Sequence, residues 1–259
     1  MICFPNAKIN LGLHVLSKRA DGYHNIETVF YPVHQLYDAL EIVPVTKGMT
    51  TFSQTGIPID GNVEDNLIMK AYHLLKQDYD LPEVAIYLQK HIPLGAGLGG
   101  GSSDAAFMIK LLNDFAGLKL TVEQMEMYAG QIGADCPFFI QNIPVFAEGI
   151  GSVFSPVSIS LQAYHLMVVK PSVSVSTKEA YARMKPQQPA LPLKEIIRLP
   201  INEWKNLLIN DFELGVFALY PEIEEIKQKL YAEGALYASM SGSGSAVFGI
   251  FDKPVKQPV

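Results

Sequence analysis

Cysteine is almost absent: 259 residues hold two, Cys3 and Cys136. Two thiols cannot build a disulfide framework, nor a cysteine metal site by themselves. Charge is also scarce, 18% of residues against 49% hydrophobic, so a sizeable core can form and disorder is excluded. Positive charge is in deficit. Twenty Lys and Arg face 26 Asp and Glu, a net charge of -6. That excludes a broad basic surface for gripping nucleic acid, though not a small anion held at one local site. The six histidines show no His-Glu-x-x-His spacing, so a structural zinc site is not expected. The uncharged stretch 149–169 carries Ser152, Ser155, Pro156, Ser158, Ser160 and Gln162 and alternates like strands, so it is not read as a membrane span. Residues 1–10 read as a short strand with Lys8 inside it, not as a secretion signal. With the reduced thiols, this gives an expected cytoplasmic location and no membrane partner. Internal repeats and low-complexity segments are missing too.

What is there alternates between sheet and helix. Ile9, Leu11, Leu13 and Val15 occupy alternate positions, a turn falls at Asp21 and Gly22, and strands are expected over 23–33 and 37–45. Asn66 is placed to cap a helix to about residue 79, and 84–91 reads as a strand. An apolar helix is expected over 105–115. Thr121 and Gln124 form a capping box for the next, which ends near Ile132 and Gly133. Strand character returns over 137–170. A short helix is expected over 177–184, then a proline-rich loop over 185–192, and helices over much of 193–233, the last opened by Pro221. Strands at 235–240 and 246–251 flank a Ser-Gly loop. The pattern is α+β in two lobes, an amino-terminal lobe over residues 1–155 and a carboxy-terminal lobe over residues 156–259.

Five of the 20 glycines fall between Gly95 and Gly101, after a strand and before a helix. Such a run lets the backbone approach a ligand closely. The unpaired N–H groups of the helix start, aided by the helix dipole, then favour a phosphate. No Lys or Arg lies between Pro93 and Ile109, so charge must be neutralised by backbone dipoles, a metal ion or distant side chains. No Lys-Ser or Lys-Thr follows, which excludes a Walker A loop. Gly95, Gly97 and Gly100 fit the dinucleotide fingerprint, but the region near Leu120 opens a helix where that fold needs a second strand ending in an acid.

The segment Pro93, Leu94, Gly95, Ala96, Gly97, Leu98, Gly99, Gly100, Gly101, Ser102, Ser103 resembles the phosphate-binding motif of the GHMP kinases. Three further segments follow the family's order: Asn6 to Asn10 with Arg19 to His24, Gly133 to Phe139, and Ser241 to Ser245. The resemblance implies the two-lobed α+β fold of that family, with the active site in the cleft between lobes. It implies ATP, with Mg2+, as the cosubstrate bound by residues 93–103. The acceptor implied is a cytidine-diphosphate-linked methylerythritol, phosphorylated at its 2-hydroxyl in the non-mevalonate route to isoprenoid precursors.

Roles follow residue by residue from the resemblance. Asp135 matches the family's catalytic acid and would accept the hydroxyl proton; on bare sequence it could equally fix the turn before Pro137. Lys8 matches the catalytic lysine and would keep Asp135 ionised; on bare sequence it could equally be an outward-facing strand residue. Asn10 shares a strand face with Lys8 and would bond the substrate near its reacting end. Tyr23 would stack on cytosine and His24 would bond its edge. Thr177 and Tyr181, four apart on one helix face, would complete the substrate site, although Lys178 stands where the family has Pro. Their bare reading is a helix cap and a packed aromatic. Gly100 and Gly101 occupy positions where many of these kinases carry a metal-binding Ser, so no protein ligand of Mg2+ is readable. Cys136 reads as a packed thiol. The competing readings are a kinase of mevalonate or homoserine, a dinucleotide-dependent oxidoreductase and a nucleotide-binding module without turnover. Arg19 to His24 speaks against the first, since a substrate without a base has no use for these aromatics.

Overall fold

A computed structural model of the chain describes residues 1–255; the last four residues of the expected carboxy-terminal lobe, 256–259, lie outside the described residues. The chain runs through β1 (Ile2–Cys3), β2 (Asn6–Lys18), β3 (His24–Tyr37), β4 (Ala39–Pro44) and β5 (Thr51–Gly56) before α1 (Leu67–Asp78) and β6 (Val84–Lys90). Three helices follow in a row, α2 (Gly100–Ala116), α3 (Val122–Ile132) and α4 (Phe138–Gln141). Then come β7 (Val145–Glu148), β8 (Val153–Pro156), β9 (His165–Val169), α5 (Thr177–Ala182), α6 (Leu193–Ile196), α7 (Phe212–Leu219), α8 (Pro221–Ala232), β10 (Tyr237–Met240) and β11 (Val247–Phe251). The α+β expectation holds.

Two compact units share the chain, and neither is one continuous stretch. The first holds Met1–Lys8, Pro32–Leu94 and Gly99–Ile143. The second holds Ile9–Tyr31, Gly95–Leu98 and the described residues from Pro144 on.

In the first unit β1, β4 and β6 pair antiparallel and β5 adds parallel to β6, giving the order β1-β4-β6-β5. Val84, Ile86 and Leu88 of β6 face inward by strict alternation. Helix α1 turns Ile68, Met69, Ala71, Tyr72 and Leu75 into the core, and its N-cap is Asn66, whose side chain accepts from the Ile68 N–H. Each large apolar side chain buried this way contributes about 1.5–3 kcal/mol. The Thr121–Gln124 capping box forms on α3 with both bonds present. Two expectations fail here. Helix α2 begins at Gly100 rather than near 105, because tertiary packing outweighs the poor helix propensity of glycine. Residues 138–141 form a helical turn rather than strand; Asn142, in the left-handed conformation, closes it.

The second unit carries the sheet β10-β11-β9, antiparallel throughout, with Val247 opposite both Met240 and Val169. Its core gathers Leu13, Val15, Ile26, Phe212, Val216, Ile223, Leu230 and Phe251 with others. Pro221 occupies the first turn of α8 as expected. A third sheet has the order β2-β3-β7-β8, and β7 and β8 fall within 149–169 or just before it. Among the described residues no helix is long and apolar enough to cross a membrane.

Candidate active site

In the first unit, the start of β2 and the turn after α3 bring Lys8 and Asp135 together. Lys8 Nζ lies 3.7 Å from Asp135 Oδ2, with side-chain exposures of 5% and 36%. Helix α3 ends at Gly133, and the Cys136 N–H donates to the Gly133 carbonyl, so the turn presents Asp135. Burial pushes the Lys8 ammonium below its ordinary value, and the Asp135 carboxylate offsets some of that. A partly exposed carboxylate beside a buried cation suits acceptance of a proton from a hydroxyl. Cys136 is buried and its thiol is pushed up to about 12 by burial, so it stays a packed thiol.

The same unit supplies the start of α2. No side chain caps this helix among the described residues, which leaves its first N–H groups available to an anion. Ser103 Oγ is buried there without a hydrogen-bond partner, and Ser102 bonds Cys136. A cavity of about 320 Å3 lies beside the start of α1, walled by Phe52, Ile59 and Val63 and edged by Gln54, Asp65 and Asn66. After α2 the chain enters α3, not a strand, which removes the dinucleotide reading.

In the second unit, the segment Gly95–Leu98 packs against the Ser-Gly loop 241–245. Ser241 Oγ donates to the Gly97 carbonyl at 2.8 Å, the Ala246 N–H donates to the Ala96 carbonyl at 3.1 Å, and the Asn10 N–H donates to Ser241 Oγ at 3.3 Å. A Cβ on Gly97, where φ is +75°, would lie 1.9 Å from the Ser241 carbonyl oxygen, so only glycine allows the approach. Asn210, buried, fixes the far side of the loop by donating to the Met240 and Gly242 carbonyls, both at 2.8 Å. Asn10 Nδ2 donates to Thr28 Oγ1 at 3.0 Å, and Thr28 Oγ1 donates to the Gly12 carbonyl. Sequence reasoning missed Thr28 and Asn210, which look like ordinary polar residues until the fold places them.

The aromatic residues form a second cluster in this unit. His24 stacks on Tyr181 with centroids 4.8 Å apart and planes at 22°, and Tyr181 meets Phe212 edge-on. Burial and Lys18 push His24 below its ordinary value, so its ring is neutral near pH 7. Tyr23 is 62% exposed and its N–H donates to Asp21. Thr177 opens α5 but does not cap it: Ser176 does, and Thr177 Oγ1 shares a hydrogen bond of 2.9 Å with Ser243 Oγ. The bare reading of Thr177 as a helix cap is thus corrected.

The chain matches two families in turn, the GHMP kinases N terminal domain over residues 66–146 and the GHMP kinases C terminal over 193–258. It is 61% identical over 254 residues to the 4-diphosphocytidyl-2-C-methyl-D-erythritol kinase of Parabacteroides distasonis, covering 98% of this chain and 93% of that one. Its fold superposes on a crystal structure of 4-(cytidine 5'-diphospho)-2C-methyl-D-erythritol kinase with a TM-score of 0.83, at 33% identity over 96% of this chain and 90% of that one. A mevalonate kinase of L. major in complex with R-mevalonate gives a TM-score of 0.68 at 20% identity, over 98% of this chain and 87% of that one, which is a likeness of fold.

Proposed function

From the chain's membership of the GHMP kinases, in the branch of the 4-diphosphocytidyl-2-C-methyl-D-erythritol kinases, we propose that it phosphorylates the 2-hydroxyl of 4-diphosphocytidyl-2-C-methyl-D-erythritol. The chain is an ATP-dependent kinase of the non-mevalonate isoprenoid route, and on this reading it works in the cytoplasm. The observation that carries the chemistry is the pair of Lys8 and Asp135, at 3.7 Å in the same unit as the uncapped start of α2.

Phosphoryl transfer asks the protein for little covalent chemistry. It needs a positioned hydroxyl, a proton acceptor and neutralised phosphate charge. Asp135 takes the proton of the attacking hydroxyl. Lys8, paired with that carboxylate, favours alkoxide character on the attacking oxygen. Residues 93–103 hold the phosphates through backbone N–H groups and the hydroxyls of Ser102 and Ser103. The cavity beside α1 sets the apolar side chains of Phe52, Ile59 and Val63 among polar neighbours, the mixture a nucleotide base uses. Mg2+ enters with ATP as a component of the cosubstrate. Among the described residues no group of three or more His, Cys, Asp or Glu is gathered to hold a metal.

At the acceptor end, Asn10 is held by Thr28 so that its amide is oriented before substrate arrives. Tyr23 stacks on the cytosine, neutral His24 bonds its edge, and Thr177 and Tyr181 complete the site. On this reading the functional division falls at residue 155, supported by matched segments 66–146 and 193–258 on either side of it. The protein should release ADP from MgATP with the cytidylyl substrate and not with mevalonate or homoserine. Robust turnover with mevalonate would overturn the assignment. Tyr23→Ala should raise the KM for the cytidylyl substrate about tenfold, since stacking one base on an aromatic contributes about 1–3 kcal/mol. The KM for ATP should not move; an unchanged cytidylyl KM would remove Tyr23 from the site.

A further inference from the structure

A buried cluster of charge lies behind the start of α2, and the proposed chemistry makes no use of it. Lys90, at the end of β6, has no exposed side-chain surface. Its Nζ donates to Asp38 Oδ2 at 2.5 Å and to Asp104 Oδ2 at 2.6 Å. It also lies 3.0 Å from where a Cβ on Gly100 would stand, with Ile92 Cγ2 nearer still at 2.8 Å, so the helix start is packed closely on the ammonium. Two carboxylates around one ammonium leave a net negative charge in a site without solvent, and one added proton removes it. The two acids are not equivalent. Asp38 Oδ1 accepts the N–H groups of His91 and Ile92 at 2.5 and 2.8 Å, whereas Asp104 Oδ1 is buried with no partner. Asp38 accepts from three donors and Asp104 from one, so an added proton is placed on Asp104, whose Oδ1 has none to lose.

We propose that the Asp38–Lys90–Asp104 cluster carries an exchangeable proton on Asp104, and that nucleotide binding at the start of α2 draws a proton into it. The proposal rests on the reading of residues 93–103 as the phosphate site. Phosphate charge at the helix start raises the cost of a second anion just past its first turn, so the protonated cluster binds nucleotide better. Burial, with Asp38 nearby, pushes the Asp104 carboxyl up to about 7 despite Lys90, which puts the exchange in the physiological range. The groups around it are Cys3 on β1, pushed up to about 12 by burial, Lys110 farther along α2, lowered by burial, and His91, whose N–H donates to Asp38.

The test is calorimetric titration of MgADP into the protein at pH 7.5, in two buffers of different ionisation heat. Wild type should take up about 0.2–0.5 of a proton per nucleotide more than Asp104→Asn, which mimics the neutral acid. Equal uptake in both proteins, with binding intact, overturns the proposal and leaves the phosphate site standing; absence of MgADP binding overturns both. The melting temperature gives a second readout without nucleotide. An acid raised from 3.8 to about 7 binds more protons folded than unfolded between those values, so its contribution to stability falls as pH rises through that window. The wild-type melting temperature should therefore drop relative to Asp104→Asn from pH 4.5 to 7.5, and parallel curves count against the proposal. Should Asp104→Asn not fold, Asp38→Asn supplies the comparison: relieved of its neighbour's charge, Asp104 holds its proton less firmly and the excess uptake shrinks, and an undiminished excess overturns the assignment.

Discussion

Asp135→Asn is expected to lower kcat by about 10²- to 10⁴-fold, the range one acid–base group contributes, while MgATP still binds. The substitution keeps the size of the side chain and its place in the turn after α3. It removes the proton acceptor and the anion beside Lys8. Steady-state kinetics with the cytidylyl substrate, paired with nucleotide titration, separates loss of chemistry from loss of fold. Unchanged kcat would take Asp135 out of its role.

The same variant carries a sign in its stability. Burial already lowers the Lys8 ammonium from 10.5, and Asp135 opposes that shift. Without the carboxylate the folded-state value falls further. A base whose folded value lies below its unfolded one releases its proton first in the folded state. Stability therefore rises with pH between the two values. Asp135→Asn should gain more stability than wild type as pH rises toward 10.5, measured by thermal denaturation. The pair is thus tuned as a unit: Lys8 tolerates burial because Asp135 stands next to it, and Asp135 keeps partial exposure so that a substrate hydroxyl can reach it.

Residues whose signal is local were legible in the sequence. Asn66 and Thr121 cap the helices they were expected to cap, and Pro221 opens α8 where its fixed backbone fits. Asp135 was placed by a helix end and a following proline, both readable within a few residues. The start of α2 was not, because glycine disfavours helix by about 1 kcal/mol and only tertiary packing at Gly100 reverses that. Phe138, Phe139 and Ile140 look like strand by composition, yet they form a single helical turn ended by Asn142. The buried charge cluster was illegible for another reason. Lys90 lies 52 residues from Asp38 and 14 from Asp104, so no local window shows that the three share a site. The cation missing from residues 93–109 was in the strand before them, bound between two acids and so not a supplier of net positive charge.

Alanine substitutions in the glycine segment should divide sharply between Gly97 and Gly95. Both have positive φ, +75° and +57°, which costs a residue with a Cβ roughly 1 kcal/mol. At Gly95 nothing lies within 4 Å of the added carbon, so the cost ends there. At Gly97 the added carbon would sit 1.9 Å from the Ser241 carbonyl oxygen and 2.8 Å from its carbon. That obstacle is backbone, and it is pinned. The Ser241 N–H donates to the Ala246 carbonyl, and Asn210 holds the carbonyls of Met240 and Gly242 on either side. The 95–98 segment must then be the one to move, which breaks the bond from Ser241 Oγ to the Gly97 carbonyl. Gly97→Ala should lose about 100-fold or more in kcat/KM, equivalent to about 2.7 kcal/mol in the transition state. Wild-type kcat/KM in that variant would show that the contact with the Ser-Gly loop is not required. Gly95→Ala should fold with a melting temperature within a few degrees of wild type, because a loss near 1 kcal/mol shifts a chain of this size by about 2–4 °C. Any large rise in its KM for ATP then measures the ligand itself, since the protein leaves the space beside Gly95 open and a phosphate held there would meet the new methyl group.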